Sequence, residues 1–161
     1  MKNLTNFPLA LQLLMRTDGT VTELIKLLTK EDIIVRKLSE KINDCQEGRI
    51  LDRHIFLQGT LSGKKWLYAE SKIYLDNLPE EFVTDLLEKT IPIGTLWINY
   101  RMETFKLLID QYEEDSKKCG KNSAFNLSTF LLTRVYRVFN QKKLIMEITE
   151  KFPVAEYENL I

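Results

Sequence analysis

Three charged residues, Arg53, Arg137 and Glu150, stand where the alternation of strand side chains predicts an inward orientation. A guanidinium in such a place can hold a carboxylate through two parallel hydrogen bonds, and a carboxylate can hold a hydroxyl group or accept a proton. Burying a charge is costly unless the charge is paired. Each residue therefore needs a partner, either another protein charge, as in an ion pair between Arg53 and Glu150, or a ligand. The remaining alternative is a strand end, where the side chain reaches water.

Arg53 lies within a predicted β-hairpin, the segment Arg49 to Leu75. Its two runs are rich in β-branched and aromatic residues, and the turn between them spans Gly59 to Gly63. A symmetric register about this turn puts Arg53 opposite Ala69, with Ser71 diagonal to it. Because both neighbours are small, the apolar face has room for an anion beside the guanidinium.

Glu150 lies within a second predicted hairpin, the segment Leu131 to Phe152, whose turn spans Asn140 to Lys143. A symmetric register about that turn puts Thr133 opposite Glu150. The same register places Arg137 on the face of Glu150. The alternation of side chains along the strands therefore predicts two arginines and one glutamate on inward faces.

The N-terminal segment Phe7 to Leu28 predicts two short helices joined by an Asp-Gly turn. Thr20 and Glu23 match a capping box, in which each side chain bonds the backbone N–H of the other residue. The buried face of the second helix is predicted from its apolar spacing to contain Leu24, Ile25, Leu27 and Leu28. The N-terminus of this helix can bind an anion, although an ordinary helical corner fits the same pattern.

The other elements are assigned from apolar spacing and from the positions of Pro and Gly. A helix is predicted after Pro79, with Phe82, Val83, Leu86 and Leu87 facing inward, and another helix at Met102 to Asp115. Strands are predicted at Ile33 to Ile42 and at Thr95 to Tyr100, and a mobile polar loop at Glu113 to Ser128.

Composition excludes several classes of function. The length of 161 residues predicts one domain, residues 1–161, and the equal numbers of Lys+Arg and Asp+Glu, 23 each, give no basic field for nucleic acid. The apolar run Pro8 to Met15 is too short to span a bilayer and lacks a signal-peptide cleavage site. We therefore expect no membrane partner. The protein should stay in the compartment where it is made, the cytoplasm or, if plastid-encoded, the stroma, or reach its compartment by a segment absent here.

Metal and nucleotide sites are not indicated either. Cys45 and Cys119, with His54 as the single histidine, cannot form a conventional zinc site, so we expect free thiols and a structural histidine. The sequence contains no P-loop, GxGxxG, GxSxG or HExxH motif. Trp66 and Trp97 are expected to serve packing.

With these residues the chain resembles the chorismate pyruvate-lyases, in the branch found in archaea, mycobacteria, cyanobacteria and some plastids. The resemblance rests on the order and spacing of DGTVTELI (18–25), GRILDRHIFLQG (48–59), YAESKIYLDNLP (68–79), PIG (92–94), METFK (102–106), RVYRV (134–138) and IMEITEKF (145–152). It implies an α+β fold with a single antiparallel sheet of about six strands, helices on one side, and helix-turn-helix flaps over a buried ligand cavity. It implies no metal or cofactor.

The resemblance also implies roles for individual residues. Arg53 would bind a carboxylate and Glu150 would hold the ring hydroxyl, so both are the candidate catalytic residues. Backbone contacts are implied in the DGTVT and PIG turns, at Val21, Thr22, Ile93 and Gly94. Arg137 is a further candidate, as a second anion partner, and it rests only on the alternation of strand side chains. No role carries over to Glu70, where the better-studied bacterial branch has arginine.

The activity that the resemblance implies is the conversion of chorismate to 4-hydroxybenzoate and pyruvate by a cofactor-free elimination that aromatises the ring. The partners are then this substrate and product, without nucleic acid, and the oligomeric state is open. Glu150 could act as the base for the C4 proton, or the departing side chain could take that hydrogen itself. The alternative is a non-catalytic binding domain related to the effector domains of transcription regulators, although the chain has neither the length nor the basic patch for an attached DNA-binding domain.

Overall fold

The structure, a computed structural model, describes residues 3–116 and 130–160. The helices are α1 (Leu9–Arg16), α2 (Val21–Thr29), α3 (Glu80–Glu88), α4 (Ile93–Asn99) and α5 (Val154–Tyr157), with a 3₁₀ turn at Leu75–Asn77. The strands are β1 (Ile33–Cys45), β2 (Gly48–Gly59), β3 (Lys65–Tyr74), β4 (Phe105–Asp115), β5 (Phe130–Asn140) and β6 (Lys143–Pro153).

The strands form one antiparallel six-stranded sheet in the order β1-β2-β3-β6-β5-β4. Both predicted hairpins are confirmed, as β2–β3 and β5–β6. The central pairing of β3 with β6 joins the hairpins and sets Ala69 directly opposite Glu150. The α+β architecture with a single six-stranded sheet is therefore as predicted.

The core lies between the helices and one face of this sheet. Leu14 of α1, Ile25 of α2 and Phe82 of α3 share one buried cluster with Leu51 and Ile73 of the sheet. Burying an apolar side chain of this size stabilises a fold by about 1.5–3 kcal/mol. Within the described residues, no helix is both long and apolar enough to cross a membrane.

Glu31 fixes the turn of the first hairpin. Its carboxylate accepts hydrogen bonds from the backbone of Leu61, from the backbone and hydroxyl of Ser62, and from the indole of Trp66. Burial alone would raise the pKa of Glu31, but the hydrogen bonds outweigh burial and lower this pKa to about 2. The carboxylate also occupies the space of a Cβ at Gly59, so a larger residue there would displace it.

The predicted strand at Thr95 to Tyr100 is wrong, because this segment belongs to α4. Pro92 occupies the N-cap position, where its fixed φ is compatible with the start of a helix. The helix buries Trp97, whose ring stacks on Phe82 with 4.8 Å between the centroids. Tertiary packing has overridden the β-propensity of these residues.

The predicted helix at Met102 to Asp115 is also wrong, because Phe105–Asp115 is the edge strand β4. The register of β4 shifts between Leu108 and Asp110. A bulge of this kind interrupts the two-residue alternation of a strand. The apolar residues before and after the bulge are then three or four positions apart, which is the spacing expected of a helix.

Two smaller predictions also fail in part. Leu27 is 74% exposed rather than buried. Glu113 to Asp115 belong to β4 rather than to a loop, and residues 117–128 of the predicted loop, with Cys119, lie outside the described residues. Cys45 is a free, exposed thiol.

In the first hairpin, Arg53 lies opposite Ser71, and Ala69 lies opposite Ile55. The predicted pairing of Arg53 with Ala69 is therefore wrong. The turn closes between Gly59 and Lys64, one residue later than the predicted closure between Gly59 and Gly63. A bulge between Leu57 and Gln58 adds another residue. A shift of two residues leaves each side chain on the same face of the strand, so Arg53 still faces inward.

In the second hairpin, Arg134 rather than Thr133 lies opposite Glu150. The register shifts by one residue between Val138 and Phe139. A shift of one residue exchanges the two faces of a strand. Arg134 therefore faces inward and Arg137 outward, contrary to the prediction.

Candidate active site

An inner cavity of about 50 Å³ lies between the helices and the inner face of the sheet. The residues predicted to make backbone contacts, Val21, Thr22, Ile93 and Gly94, all line it, and so does Glu150. Apolar side chains of β2, β3 and β6 form the rest of the sheet side. The structure thus brings together most of the predicted site on a single enclosed space.

The helix side of the cavity is formed by the N-termini of α2 and α4. The helices begin at Val21 and Ile93, and neither N-cap residue makes a side-chain cap hydrogen bond. The predicted capping box between Thr20 and Glu23 is therefore wrong. Among the described residues, no hydrogen bond reaches the backbone N–H groups of Val21 or Ile93. Such free N–H groups, with the positive end of a helix dipole behind them, favour an anion.

Close packing of Thr20 against Gly94 holds the two helix N-termini together. The Thr20 methyl carbon Cγ2 lies 2.3 Å from the position that a Cβ on Gly94 would take. A larger residue there would have to displace the Thr20 side chain.

The sheet side of the cavity carries Glu150, which is 3% exposed. One carboxylate oxygen accepts a hydrogen bond from Arg134 Nε at 2.6 Å, and the other accepts one from the Tyr136 hydroxyl at 2.8 Å. Burial raises the pKa of Tyr136 well above its usual value, and the Glu150 charge adds to this rise. Each carboxylate oxygen keeps a second lone pair for a ligand hydroxyl.

The sequence did not predict Arg134 and Tyr136 because a single bulge exchanges the inward and outward residues of β5. The sequence does contain one indication of the correct face. The alternative inward set, Leu132, Arg134, Tyr136 and Val138, contains larger apolar residues than the predicted set around Thr133 and Val135, and its apolar members are indeed buried.

Arg53 is 1% exposed and lies on the same inner face as Glu150, as predicted. It does not line the cavity, although its strand neighbour Ile55 does. Its Nε lies 3.2 Å from a carboxylate oxygen of Glu40, and burial lowers its pKa while Glu40 opposes this effect. Nε and Nη2 have no hydrogen-bond partner among the described residues. The alternative of an ion pair between Arg53 and Glu150 is thus wrong, and Arg53 keeps unused donors next to the cavity.

Arg137 lies on the opposite face of the sheet. Its side chain is 46% exposed, and Nε lies 3.2 Å from Glu147. His54 shares the outer surface, where Nδ1 lies 2.7 Å from the Tyr68 hydroxyl. These two residues do not reach the cavity. In the described part of the chain, no cluster of three His, Cys, Asp or Glu residues could hold a metal ion.

A larger cleft of about 420 Å³ adjoins the inner cavity, and Lys106 and Tyr136 line both spaces. The inner cavity alone is smaller than the engineered cavity of about 150 Å³ that takes up benzene. An aromatic ring therefore requires a movement of the helices or an extension of the ligand into the cleft.

Solved structures with this fold include PhnF from Mycobacterium smegmatis, with a TM-score of 0.54 and 15% identity over 86% of this chain and 65% of that one. The isolated effector domain of PhnF gives a TM-score of 0.53 at 15% identity, over 84% of this chain and 88% of the domain. At this identity the likeness establishes the fold alone.

Sequence comparison is more specific. The chorismate pyruvate-lyase of Mycobacterium tuberculosis is 26% identical over 168 residues, which cover 88% of this chain and 78% of that protein. The chorismate pyruvate-lyase of Mycobacterium leprae is 34% identical over 106 residues, 60% of this chain and 50% of that protein. The family model for Rv2949c-like chorismate pyruvate-lyases matches residues 15–160. This chain therefore belongs to the Rv2949c-like chorismate pyruvate-lyase family.

Proposed function

We propose that this protein is a chorismate pyruvate-lyase that converts chorismate to 4-hydroxybenzoate and pyruvate. The observation that carries the proposal is the arrangement of the inner cavity. Val21 and Ile93, whose backbone N–H groups have no hydrogen-bond partner among the described residues, line it from the helix side, and Glu150 lines it from the sheet side. A flat ring with a carboxylate at one end and a hydroxyl at the other complements this arrangement.

In this proposal the ring carboxylate of chorismate binds at the N-termini of α2 and α4, near Val21 and Ile93. The 4-hydroxyl donates a hydrogen bond to Glu150. Apolar side chains such as Ile148 and Met146 contact the ring. Arg53, with its unused Nη2 donor, supplies a charge-assisted hydrogen bond to the same carboxylate once the helices and the guanidinium adjust around the ligand.

The reaction breaks the C4–H bond and the C3–O bond of chorismate. The electron pair of the C–H bond completes the aromatic ring, and the electron pair of the C3–O bond leaves with the enolpyruvyl oxygen. The proton lost from C4 passes to the methylene carbon of the departing side chain, which thereby leaves as pyruvate. Aromatisation supplies the driving force, so the protein needs chiefly to bind and orient the substrate.

Glu150 is suited to orient the ring. Because Arg134 and Tyr136 hold its two oxygens, the carboxylate has a fixed direction towards the 4-hydroxyl. A Gln at this position keeps the size of the side chain and one acceptor. We therefore expect Glu150→Gln to lower turnover about tenfold, whereas loss of a general base would lower it by about 10²–10⁴.

The test is to incubate the purified protein with chorismate and to quantify 4-hydroxybenzoate and pyruvate, which should form in equal amounts. Glu150→Gln is compared with Glu147→Gln, a matched control on the same strand whose side chain faces the outer surface. The proposal expects Glu147→Gln to turn over like the parent. A folded parent that binds 4-hydroxybenzoate but leaves chorismate unchanged would support the non-catalytic binding domain instead.

A further inference from the structure

We infer that the outer cleft is a second anion site, in which Lys106 and Arg134 bind the carboxylate of the enolpyruvyl side chain. This inference rests on the proposed function. It assigns one carboxylate of chorismate to the helix N-termini and the other to the cleft.

The cleft lies between the α1–α2 turn and strands β4 and β5. Its lining includes Arg16, Asp18, Lys106, Gln111 and Arg134. At about 420 Å³ it is larger than the inner cavity, with which it shares Lys106. A ligand can therefore occupy both spaces at once.

Arg134 carries an unused donor in this cleft. The residue is 3% exposed; its Nε binds Glu150, and its Nη1 donates to the backbone oxygen of Thr17 at 3.2 Å. Nη2 is buried and has no hydrogen-bond partner in the described part of the chain. A buried, unpaired donor on a guanidinium is unfavourable unless a ligand acceptor satisfies it.

Lys106 supplies the second cation. Its Nζ donates to the backbone oxygen of Gly19 at 2.7 Å and lies 5.5 Å from the centre of the Tyr136 ring. An ammonium group has three donors, so further donors remain. Burial lowers the pKa of Lys106, and an anion in the cleft would offset that effect.

The charges around the cleft favour an added anion. Arg16, Lys106 and Arg134 give three positive charges, and Asp18 and Glu150 give two negative charges, so the formal sum is +1. One carboxylate brings this sum to zero. The exposed Arg16 would contribute less than the partly buried Lys106 and the buried Arg134, because solvent screens it.

The chemistry of chorismate links the two sites. Its 4-hydroxyl and its enolpyruvyl ether are on adjacent ring carbons. Glu150, which holds the 4-hydroxyl in the proposed binding mode, lies 2.6 Å from Arg134. The ether at the neighbouring carbon can therefore be placed towards Arg134 and Lys106, with its carboxylate in the cleft. Pyruvate would leave through the cleft while the aromatic product stays in the inner cavity.

Two stable aromatic ligands test this inference by calorimetry. One is 4-hydroxy-3-methoxybenzoate, which has the ring carboxylate and the hydroxyl. The other is 3-(carboxymethoxy)-4-hydroxybenzoate, which adds a carboxylate at the ether. We expect the parent to bind the diacid about 10- to 100-fold more tightly than the monoacid, as for one charge-assisted hydrogen bond.

Lys106→Met keeps the length of the side chain and removes the charge. It should reduce the preference for the diacid by about tenfold or more, because the monoacid has no second carboxylate for Lys106 to bind. Lys106→Arg should restore most of the preference. Lys41→Met, on the exposed edge strand β1 at the other end of the sheet, is the matched control and should behave like the parent.

Equal affinity of the parent for diacid and monoacid would overturn the inference and leave the proposed function intact. An unchanged preference in Lys106→Met would overturn the role of Lys106. Failure of the parent to bind either ligand would overturn both the inference and the proposed function.

Discussion

The buried pair of Arg134 and Glu150 should be strongly coupled in its effect on stability. Removing one partner of a buried ion pair costs about 3–5 kcal/mol, because the remaining charge stays buried without its counterion. Arg134→Met leaves Glu150 with the Tyr136 hydroxyl as its one hydrogen-bond partner among the described residues. We expect it to lower the free energy of unfolding by about 3–5 kcal/mol.

Glu150→Gln is milder, since the amide oxygen still accepts from Arg134 Nε. The lost charge-assisted hydrogen bond corresponds to about 1.5–3 kcal/mol. The double variant contains no buried charge at this pair, and such replacements are often close to neutral. The coupling energy is the difference between the summed single effects, about 4.5–8 kcal/mol, and the small double effect, so it should be at least about 3 kcal/mol.

Urea unfolding of the parent, the two single variants and the double variant measures this coupling. Arg137 and Glu147 offer a matched control, because they form an ion pair of 3.2 Å between the same two strands but on the outer face. Removing them by Arg137→Met and Glu147→Gln should show a coupling below about 1 kcal/mol. A coupling under about 0.5 kcal/mol for Arg134 and Glu150 would refute the view that their pairing holds the site together.

Gly94→Ala should lower stability by about 1–3 kcal/mol because its Cβ would lie 2.3 Å from Thr20 Cγ2, and Thr20→Ser, which removes that methyl group, should restore most of the loss in thermal unfolding. Glu31→Gln should lower stability by at most about 3 kcal/mol at pH 7. Because the folded pKa of Glu31 is about 2 and its ordinary value is 4.5, the difference between parent and variant should be complete above pH 4.5 and disappear as the pH falls towards 2 in acid-denaturation series. Arg53→Ala should weaken 4-hydroxybenzoate binding by about 30- to 1000-fold in calorimetry, the equivalent of roughly 2–4 kcal/mol, with Arg53→Lys intermediate, and an unchanged affinity would assign the carboxylate to the helix N-termini alone.

Strand alternation was sufficient to predict that Arg53 and Glu150 face inward, because the period of a strand is fixed by its geometry. The first hairpin kept its parity although its pairing changed, since its turn and its bulge each add one residue. The second hairpin has only one added residue, so the prediction chose Arg137 where the structure places Arg134. Bulges depend on tertiary contacts, and a single sequence gives little sign of them.

At the helix N-termini, too, the sequence predicted the local structure but not the long-range contacts. The residue pattern predicted that α2 starts after Thr20, but it also predicted a cap that the structure lacks. The Thr20 side chain instead packs against Gly94, which is distant in sequence. Lys106 could not be identified as a site residue, because its segment was assigned to a helix and is an edge strand. Local sequence patterns therefore predicted most of the buried faces of helices and strands. Which polar groups come into contact depends on long-range packing, which these patterns do not reveal.

A titration of ¹⁵N-labelled protein with 4-hydroxybenzoate tests most directly whether one cavity holds both ends of the ring. We expect the backbone amide signals of Val21 and Ile93 to shift on binding, because their N–H groups become hydrogen-bonded to the carboxylate. Benzoate, which lacks the hydroxyl, should shift the same signals but bind about tenfold or more weakly, because the contact with Glu150 is lost. Unmoved amide signals at saturation, or equal affinity for the two ligands, would contradict the assignment of this cavity as the active site.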